Sequence, residues 1–286
     1  MRGAVVINAY LDGPSFKEPA EMMVAAGDAR GVRVDTFLNT ELSAAVGDEK
    51  ALSDRLRDVD FIVFWDKDIM LAKNLEICGY PVFNCSECIR MCDDKSLTHL
   101  VLEEWGIPSI RTMISPQSFG RPYEDWIPNV MDNLEFPIVV KDIYGSFGQQ
   151  VRLVRDRESL IREGSSGSPK IFQEYLEVGS QDIRLEVVGD EVVAAVRRKA
   201  AEGDFRANAS NGGTMSVYEP TEEEKEMAVD AASAVQASFL GVDILQTDNG
   251  PVVCELNSNA HIRNLTDCTK IDVAGRIMEY IQAFLR

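Results

Sequence analysis

The sequence predicts an α/β fold, with a parallel sheet early in the chain and antiparallel sheet later. Short apolar segments alternate with helical segments from the N-terminus onward, which is typical of a parallel sheet covered by helices. From Lys170 onward, strand segments follow one another through tight turns, as in antiparallel hairpins. A chain of 286 residues, 45% of them hydrophobic, is long enough for two or three such units.

Residues 1–93 are predicted to form an N-terminal α/β domain. A strand at GAVVINAY ends in a turn at 12–14, and the helix that follows stops at Gly31. Further strands are predicted at VRVDTFLN, DFIVFWD and YPVFN.

Residues 94–172 are predicted to form a second, smaller unit. A helix at SLTHLVLEEWGI is followed by SIRTMIS and by PQSFGRPYEDWIPN, which has the composition of a connector. The segment FPIVVKDIYGSFGQQVRLV then predicts two strands around a glycine-containing turn, and RDRESLIREGSSGSPK predicts a helix.

Residues 173–286 are predicted to be largely antiparallel. Hairpins are expected to turn at Gly189-Asp190 and at 248–250. A helix between them begins with a capping box at Thr221 and Glu224, and a last helix is expected at DVAGRIMEYIQAFL.

The charge and the N-terminal segment exclude several classes of protein. The net charge of −18, from 47 acidic and 29 basic residues, disfavours binding to nucleic acid or to an anionic membrane. The N-terminal apolar run is too short for a signal peptide, and no run reaches the roughly 18 apolar residues of a membrane helix. We therefore expect a cytoplasmic protein whose six cysteines are reduced.

A candidate metal site lies in the segment GVDILQTDNGPVVCELNSN. Glu255 and Asn257 are two residues apart on one strand, so they share a face, and a hairpin brings Asp243 opposite them. Three hard oxygen donors suit magnesium better than zinc. The alternative is a surface strand with its polar residues outward. An acid directly after the apolar PVVC favours the metal site, because burying it without a cation is costly.

Two further segments suit an anionic ligand. Lys141 ends an apolar strand before the turn Gly145–Gly148, whose backbone N–H groups could bind phosphate, although an ordinary hairpin explains the turn equally well. The segment VRRKAAEGDFRANASNGG concentrates positive charge, either as a solvated basic turn or as a phosphate clamp.

The order of these motifs resembles that of the ATP-grasp superfamily and, within it, of the RimK-like glutamate ligases. After Lys95 and Lys141 come QEYL, DIR, EGDFRAN, NGG, GVDIL and ELNSN, and the resemblance is strongest from Phe172 to Arg276. It implies an ATP-grasp fold. An N-terminal Rossmann-like pre-ATP-grasp domain would be followed by a central subdomain with a phosphate-binding lid and a C-terminal subdomain with the metal site.

The resemblance also implies roles for individual residues. The phosphates of ATP would be bound by Lys95 and Lys141, with Gly145, Ser146 and Gly148 in the lid. The adenine and ribose would lie against Glu174, Tyr175 and Asp182. The transferred phosphoryl group would be stabilised by Arg198, Arg206 and Asn208. Two Mg²⁺ ions, or Mn²⁺ in their place, would be held by Asp243, Glu255 and Asn257. Arg184 would anchor a substrate carboxylate.

The chain departs from the family after the metal-binding asparagine. Many members continue with Ser-Pro-Gly, whereas this chain has the loop Ser258–Arg263, which contains His261. Because this loop faces substrate in the family, the departure affects the prediction of which acceptor is used. His261 is a candidate base for the attacking amine; a loop histidine bonded to backbone is the alternative.

The leading functional hypothesis is an ATP-dependent carboxylate–amine ligase. A substrate carboxylate would be phosphorylated by ATP, and an amine would then displace the phosphate. By resemblance, the amino acid added would be glutamate, the acceptor a peptide, protein tail or small molecule, and the protein a homodimer or homotetramer. The alternatives are a catalytically silent nucleotide- or peptide-binding module, and a superfamily member that uses the acyl phosphate for another transfer.

Four cysteines between residues 78 and 92 raise the question of a zinc or iron–sulfur site. Cys85, Cys88 and Cys92 have the spacing of one helix face, and Cys78 lies seven residues earlier. Thiols spaced in this way pack as small apolar groups against a sheet, which is the interpretation we favour over a metal site.

Overall fold

The computed structural model describes residues 1–47, 52, 54–145, 150–201, 203–205 and 213–286. The strands of these residues form three sheets, each built from a consecutive part of the chain. The predicted boundary between residues 172 and 173 lies within a strand, and the division into three domains stays a prediction.

The N-terminal sheet is parallel, as the alternation of strands and helices predicts. Its strand order is β2-β1-β3-β4. The strands are β1 (Arg2–Ile7), β2 (Arg33–Leu38), β3 (Phe61–Trp65) and β4 (Val82–Phe83). The helices are α1 (Pro14–Asp28), α2 (Ile69–Ile77) and α3 (Ser86–Asp93), with a short 3₁₀ helix at Asn39–Glu41.

The central sheet is antiparallel, in the order β5-β8-β6-β7. Its strands are β5 (Thr112–Ile114), β6 (Ile138–Asp142), β7 (Val151–Val154) and β8 (Lys170–Glu174). The helices of this part are α4 (Lys95–Glu104), α5 (Ile127–Asn133) and α6 (Arg157–Ser165).

The C-terminal sheet is also antiparallel, in the order β11-β10-β9-β12-β13. Its strands are β9 (Gln181–Val188), β10 (Glu191–Lys199), β11 (Thr214–Val217), β12 (Phe239–Thr247) and β13 (Gly250–Asn257). Its helices are α7 (Glu222–Ala234), α8 (Ile262–Thr269) and α9 (Val273–Phe284). The hairpin turns and the capping box at Thr221 and Glu224 are confirmed.

The two faces of the C-terminal sheet pack against different parts of the molecule. One face covers α7 in a core that also contains Cys88 and Cys92. The other face shares a core with α1, α8, α9 and the N-terminal sheet, where the Trp65 ring stacks on Phe239 with centroids 5.1 Å apart. The N-terminal domain is thereby fixed against the sheet face on which the polar strand residues lie.

The elements that were not predicted include α5, β11 and α8. Helix α5 begins at the end of the segment predicted to be a connector, β11 follows the basic segment, and α8 begins within the divergent loop. Each is short, and none carries a long apolar period. Among the described residues, no helix is both long and apolar enough to cross a membrane.

The cysteine segment packs largely as predicted. Cys88 and Cys92 are buried in the core against α7, whereas Cys78 packs in a separate core under the N-terminal sheet. Cys85 packs against the same core as Cys88, but it is not within the helix. It precedes α3 as its N-cap, where its Sγ accepts a hydrogen bond from the backbone N–H of Cys88 at 3.4 Å. A hydrogen bond with Cys92, together with burial, raises the pKa of the Cys88 thiol, which therefore stays protonated.

Candidate active site

The polar face of β9 opens onto a cavity of about 720 Å³. Because side chains alternate along a strand, the apolar residues of β9 pack against α7 while every second residue faces the cavity. The charged β9 residues that line the cavity are Asp182, Arg184 and Glu186.

Four side chains from β9, β10 and β12 form a row of alternating charge, which we call the charge row: Asp182, Arg198, Asp243 and Arg184. Arg198 lies between two acids, with Nε 2.7 Å from Asp182 Oδ1 and Nη2 2.9 Å from Asp243 Oδ2. Arg184 binds Asp243 through Nε and, at 2.8 Å, through Nη2. The row is largely buried, so its members depend on one another for charge compensation.

The charge row sets the protonation of its two acids. Burial opposes ionisation of Asp243, but Arg184 and Arg198 outweigh it and hold the pKa of that carboxyl below its ordinary value. Burial raises the pKa of Asp182 to about 6, although Arg198 opposes the shift. Asp243 is therefore ionised near neutral pH, as a metal-binding carboxylate has to be.

The three predicted metal donors meet at one edge of the sheet. Asp243 pairs with Glu255 across β12 and β13, and Asn257 Nδ2 lies 3.5 Å from Asp243 Oδ2. In the described part of the chain, no three side chains of His, Cys, Asp or Glu form a cluster that could hold a metal ion. The candidate site has two carboxylates, and its third donor is the Asn257 amide. Two carboxylates and an amide oxygen fit Mg²⁺, whose preferred ligands are hard oxygens.

The two predicted phosphate-binding lysines line the same cavity. Lys141, near the end of β6, is buried, and its Nζ lies 4.0 Å from Cys254 Sγ. Lys95 begins α4, and its Nζ donates a hydrogen bond to the Gly145 carbonyl at 2.8 Å. Burial lowers the pKa of Lys95, and Glu255 opposes that shift. The two lysines thus reach the cavity from β6 and from the start of α4.

The residues predicted to lie against adenine are at the end of β8. Glu174 and Tyr175 line the cavity, and the Tyr175 hydroxyl donates a hydrogen bond to Glu177 at 3.1 Å. The Tyr175 and Phe205 rings lie 6.4 Å apart, edge to face. This part of the cavity offers an apolar surface suited to a base.

The N-terminal domain closes the opposite side of the cavity. Its contributions include Phe16 from α1, Trp65 at the end of β3, and Asp66, whose carboxylate accepts hydrogen bonds from Asn8 Nδ2 at 2.9 and 3.2 Å. Burial raises the pKa of Asp66. The carboxyl ends of parallel strands are where ligand sites form in such sheets.

His261 lies at this wall, in the position before α8. Its ring packs edge to face on Phe16, with centroids 5.9 Å apart. Burial, helped by Arg184, lowers the pKa of His261, so the imidazole is neutral. A neutral imidazole at the cavity can accept a proton.

Four of the predicted site residues lie outside the described residues: Ser146, Gly148, Arg206 and Asn208. Of the predicted lid residues, Gly145 is described, lines the cavity and binds Lys95.

Three acids at the cavity were not predicted from the sequence: Glu186, Asp66 and Asp142. Glu186 continues the alternation of Asp182 and Arg184 along β9, so the period-two pattern contained the signal. Asp66 directly follows the fully buried strand β3, and an acid in that position is a signal for a site at the carboxyl end of a parallel strand. Burial raises the pKa of Glu186 to about 7.

Comparison with known proteins agrees with this geometry. The RimK-like ATP-grasp domain family matches residues 92–281. A "Probable alpha-L-glutamate ligase" of Vibrio atlanticus is 33% identical over 276 residues, which cover 90% of this chain and 89% of the relative.

Two solved structures share the fold. A RimK domain ATP-grasp protein from Sphaerobacter thermophilus matches with a TM-score of 0.74 and 20% identity, over 99% of this chain and 100% of that one. The ATP-grasp ligase PsnB, complexed with a variant of its minimal precursor, Mg and ADP, matches with a TM-score of 0.74 and 18% identity, over 99% of this chain and 98% of that one. The chain belongs to the RimK-like ATP-grasp family of ATP-dependent carboxylate–amine ligases.

Proposed function

We propose that this protein joins a carboxylate to an amine through an acyl phosphate that is formed from ATP. The observation that carries the proposal is the charge row, which faces Lys95 and Lys141 across one cavity. Buried and mutually compensated charges of this kind are suited to stabilising charge that moves during phosphoryl transfer.

In this proposal, some of the described residues bind the nucleotide and others hold the metal ions. Lys95 and Lys141 bind phosphate oxygens of ATP, and Asp182 accepts hydrogen bonds from the ribose hydroxyls. Two magnesium ions held by Asp243, Glu255 and Asn257 would neutralise charge on the phosphates when bound. Arg198 is placed to stabilise the transferred phosphoryl group.

The substrates meet at the Arg184 end of the charge row. Arg184 uses Nε and Nη2 to bind Asp243, and its Nη1 makes no hydrogen bond to the described residues, so it is available to a substrate carboxylate. The carboxylate attacks the γ-phosphorus, the bond to ADP breaks, and an acyl phosphate forms. The amine then attacks the acyl carbon, phosphate leaves, and His261 takes the proton that the amine loses.

The names of relatives bear on the substrate. The Vibrio relative is named an alpha-L-glutamate ligase, and PsnB was solved with a precursor peptide. We propose that glutamate is one of the substrates and that its partner is a peptide, a protein tail or a small molecule. The divergent loop around His261 is the part of the site that would decide between these acceptors.

Two alternative functions have to be compared with the proposed ligase. A catalytically silent binding module would need no metal donors, and the three donors of this chain converge with their charges intact. A superfamily member that uses the acyl phosphate for another transfer would share the charge row. ADP release that depends on an added amine distinguishes the proposed ligase from both.

The proposed route is tested with an isotope label and a metal-site variant. We expect oxygen-18 in the substrate carboxylate to appear in the released phosphate, because that oxygen bridges to phosphorus in the acyl phosphate. We expect Glu255→Gln to reduce turnover by a factor of about 10² or more, since it removes a charged metal donor. Unlabelled phosphate, or AMP and pyrophosphate as products, would mean that the chain does not use an acyl phosphate.

A further inference from the structure

Glu186 is a buried acid on β9 that has no structural role in the strand. It is 1% exposed, and it lies on the cavity side of β9, two residues beyond Arg184. Its direct neighbours across the sheet are Ala194 on β10 and Gly241 on β12. Neither of them has a side chain that could bind the carboxylate, and the space above Gly241 is occupied by Ala260 and by the Arg184 side chain.

The Glu186 carboxylate lacks a bonding partner among the described residues. Its Oε2 is buried and accepts no hydrogen bond. The charged groups that act on it are Arg184, which is of opposite charge, and Asp243, which is of like charge. Arg184 is already bound to Asp243 through two nitrogen atoms and forms no ion pair with Glu186. The charge of Arg184 is therefore already compensated by Asp243, and Glu186 is not needed to compensate it.

Burial of an unpartnered carboxylate is costly, so a retained one indicates a ligand. The cavity wall opposite Glu186 is formed by the N-terminal domain: Trp65 stacks on Phe239, which lies two residues before Gly241 on the same face of β12. Asp66 is close along the chain to Trp65 but already accepts hydrogen bonds from Asn8. The inner end of the cavity is thus acidic, apolar-walled and enclosed.

A primary ammonium group matches this environment. It carries a positive charge and three hydrogen-bond donors, which satisfy a buried carboxylate. It is not the reacting amine, because a carboxylate contact favours the protonated form, and a protonated amine has no lone pair with which to attack. Glu186 is also about 7 Å along the strand from the charge row, at the rise of two residues. The matching group is therefore a second, non-reacting ammonium.

We propose that Glu186 is a specificity-determining residue that binds the ammonium group of the carboxylate substrate. The substrate that is phosphorylated is then a free amino acid or a compound with a similar amino group near its carboxylate. This inference rests on the proposed function, which supplies the carboxylate substrate. Arg184 and Glu186, adjacent on one face of β9, would bind the two ends of that zwitterion.

The test compares free and N-acetylated carboxylate substrates, with hydroxylamine as the amine in every assay. The probes are L-glutamate, L-alanine and β-alanine, each beside its N-acetyl derivative. With wild-type protein we expect kcat/KM for at least one free amino acid to exceed that of its N-acetyl partner by about tenfold or more, as loss of a charged hydrogen bond implies. Equal use of both forms would overturn the proposal without any variant.

Glu186→Gln then identifies the residue responsible. We expect this variant to lose most of the preference for the free amino acid, mainly through KM, and to keep a melting temperature at or above the wild-type value. The matched control is Glu191→Gln on β10, an exposed acid paired with Arg276, which should keep the full preference. An unchanged preference in Glu186→Gln would contradict the proposal.

Calorimetric titration of the same probes, with a non-hydrolysable ATP analogue and Mg²⁺ present, separates this inference from the ligase function. If no probe supports ADP release, the proposed function fails for these substrates, and binding still decides the role of Glu186. Tighter binding of a free amino acid to wild-type protein than to Glu186→Gln supports the role. Equal binding to both proteins, or no binding to wild type, overturns it.

Discussion

Arg198 is the residue on which the candidate site most depends. It lies between Asp182 and Asp243 and is nearly excluded from solvent, so it compensates two buried carboxylates at once. The pKa of Arg198 is raised, because Asp243 and Asp182 outweigh the opposing effect of burial. The same side chain therefore has a structural role in addition to the catalytic role that we propose for it.

Replacement of Arg198 should affect both stability and turnover. We expect Arg198→Ala to reduce the free energy of unfolding by about 3 kcal/mol or more, because it leaves buried carboxylates unpaired. We expect kcat to fall by about 10²–10³ if Arg198 also stabilises the transferred phosphoryl group. Urea denaturation and steady-state ADP release measure the two effects.

Arg197 provides the control for this experiment. It is the preceding residue of the same strand and faces away from the cavity, with its guanidinium 4.9 Å from the centre of the Tyr218 ring. Arg197→Ala should cost about 1 kcal/mol at most. A stability of Arg198→Ala equal to that of Arg197→Ala would show that the charge row does not hold Asp182 and Asp243 in place.

At the scale of elements, α3 shows how one helix uses its cysteines differently. Cys88 is fully buried against the core under α7, whereas Cys85 caps the helix N-terminus with its sulfur. Sulfur is a weak acceptor, and serine is among the preferred N-cap residues. The two positions therefore respond in opposite ways to the same substitution.

We expect Cys88→Ser to destabilise the protein by about 1–3 kcal/mol, because it buries a hydroxyl in an apolar core. Cys85→Ser should be neutral or stabilising by up to about 1 kcal/mol, since a hydroxyl is the better cap. Thermal or urea denaturation of the two variants measures the difference. Similar losses in both would contradict the division of roles, and loss of a bound metal from either would restore the metal-site interpretation.

The elements that local signals specify were predictable from the sequence. Turn residues and period-two alternation locate the β12–β13 hairpin and hence place Asp243 opposite Glu255. Helices α5 and α8 were missed because each is short and is stabilised by packing that no local pattern records.

The contacts within the candidate site were less predictable than its residues. Arg184 meets Asp243 because β9 lies next to β12 in the sheet, although 59 residues separate these two side chains along the chain. Strand order is a property of the whole fold and is not contained in any one segment. The family resemblance was sufficient to predict which residues belong to the site. Which of them contact each other depends on the order of the strands in the sheet.

At the scale of the whole molecule, one buried side chain, Asn84, links the N-terminal part of the chain to the C-terminal sheet, in addition to the apolar core that the two share. The Asn84 amide donates to the carbonyls of Phe239 and Ser258, each at 2.8 Å. Its oxygen accepts from the backbone N–H groups of Ser238 at 2.7 Å and Phe239 at 3.2 Å. Asn84 thereby fixes both the start of β12 and the loop that leads to His261.

The final prediction concerns this junction. We expect Asn84→Ala to reduce the free energy of unfolding by about 4 kcal/mol, since four hydrogen bonds of about 1 kcal/mol each are lost and buried backbone groups are left unpaired. Because the Ser258 carbonyl is released, the loop carrying His261 should also shift, and KM for the carboxylate or the amine should rise while ATP affinity changes little. Asn133→Ala, at an exposed position with one hydrogen bond to Asn129, is the control and should change stability by about 0.5 kcal/mol or less. Full stability together with unchanged KM in Asn84→Ala would mean that the two parts of the molecule are held together by the apolar core around Trp65 and Phe239 alone.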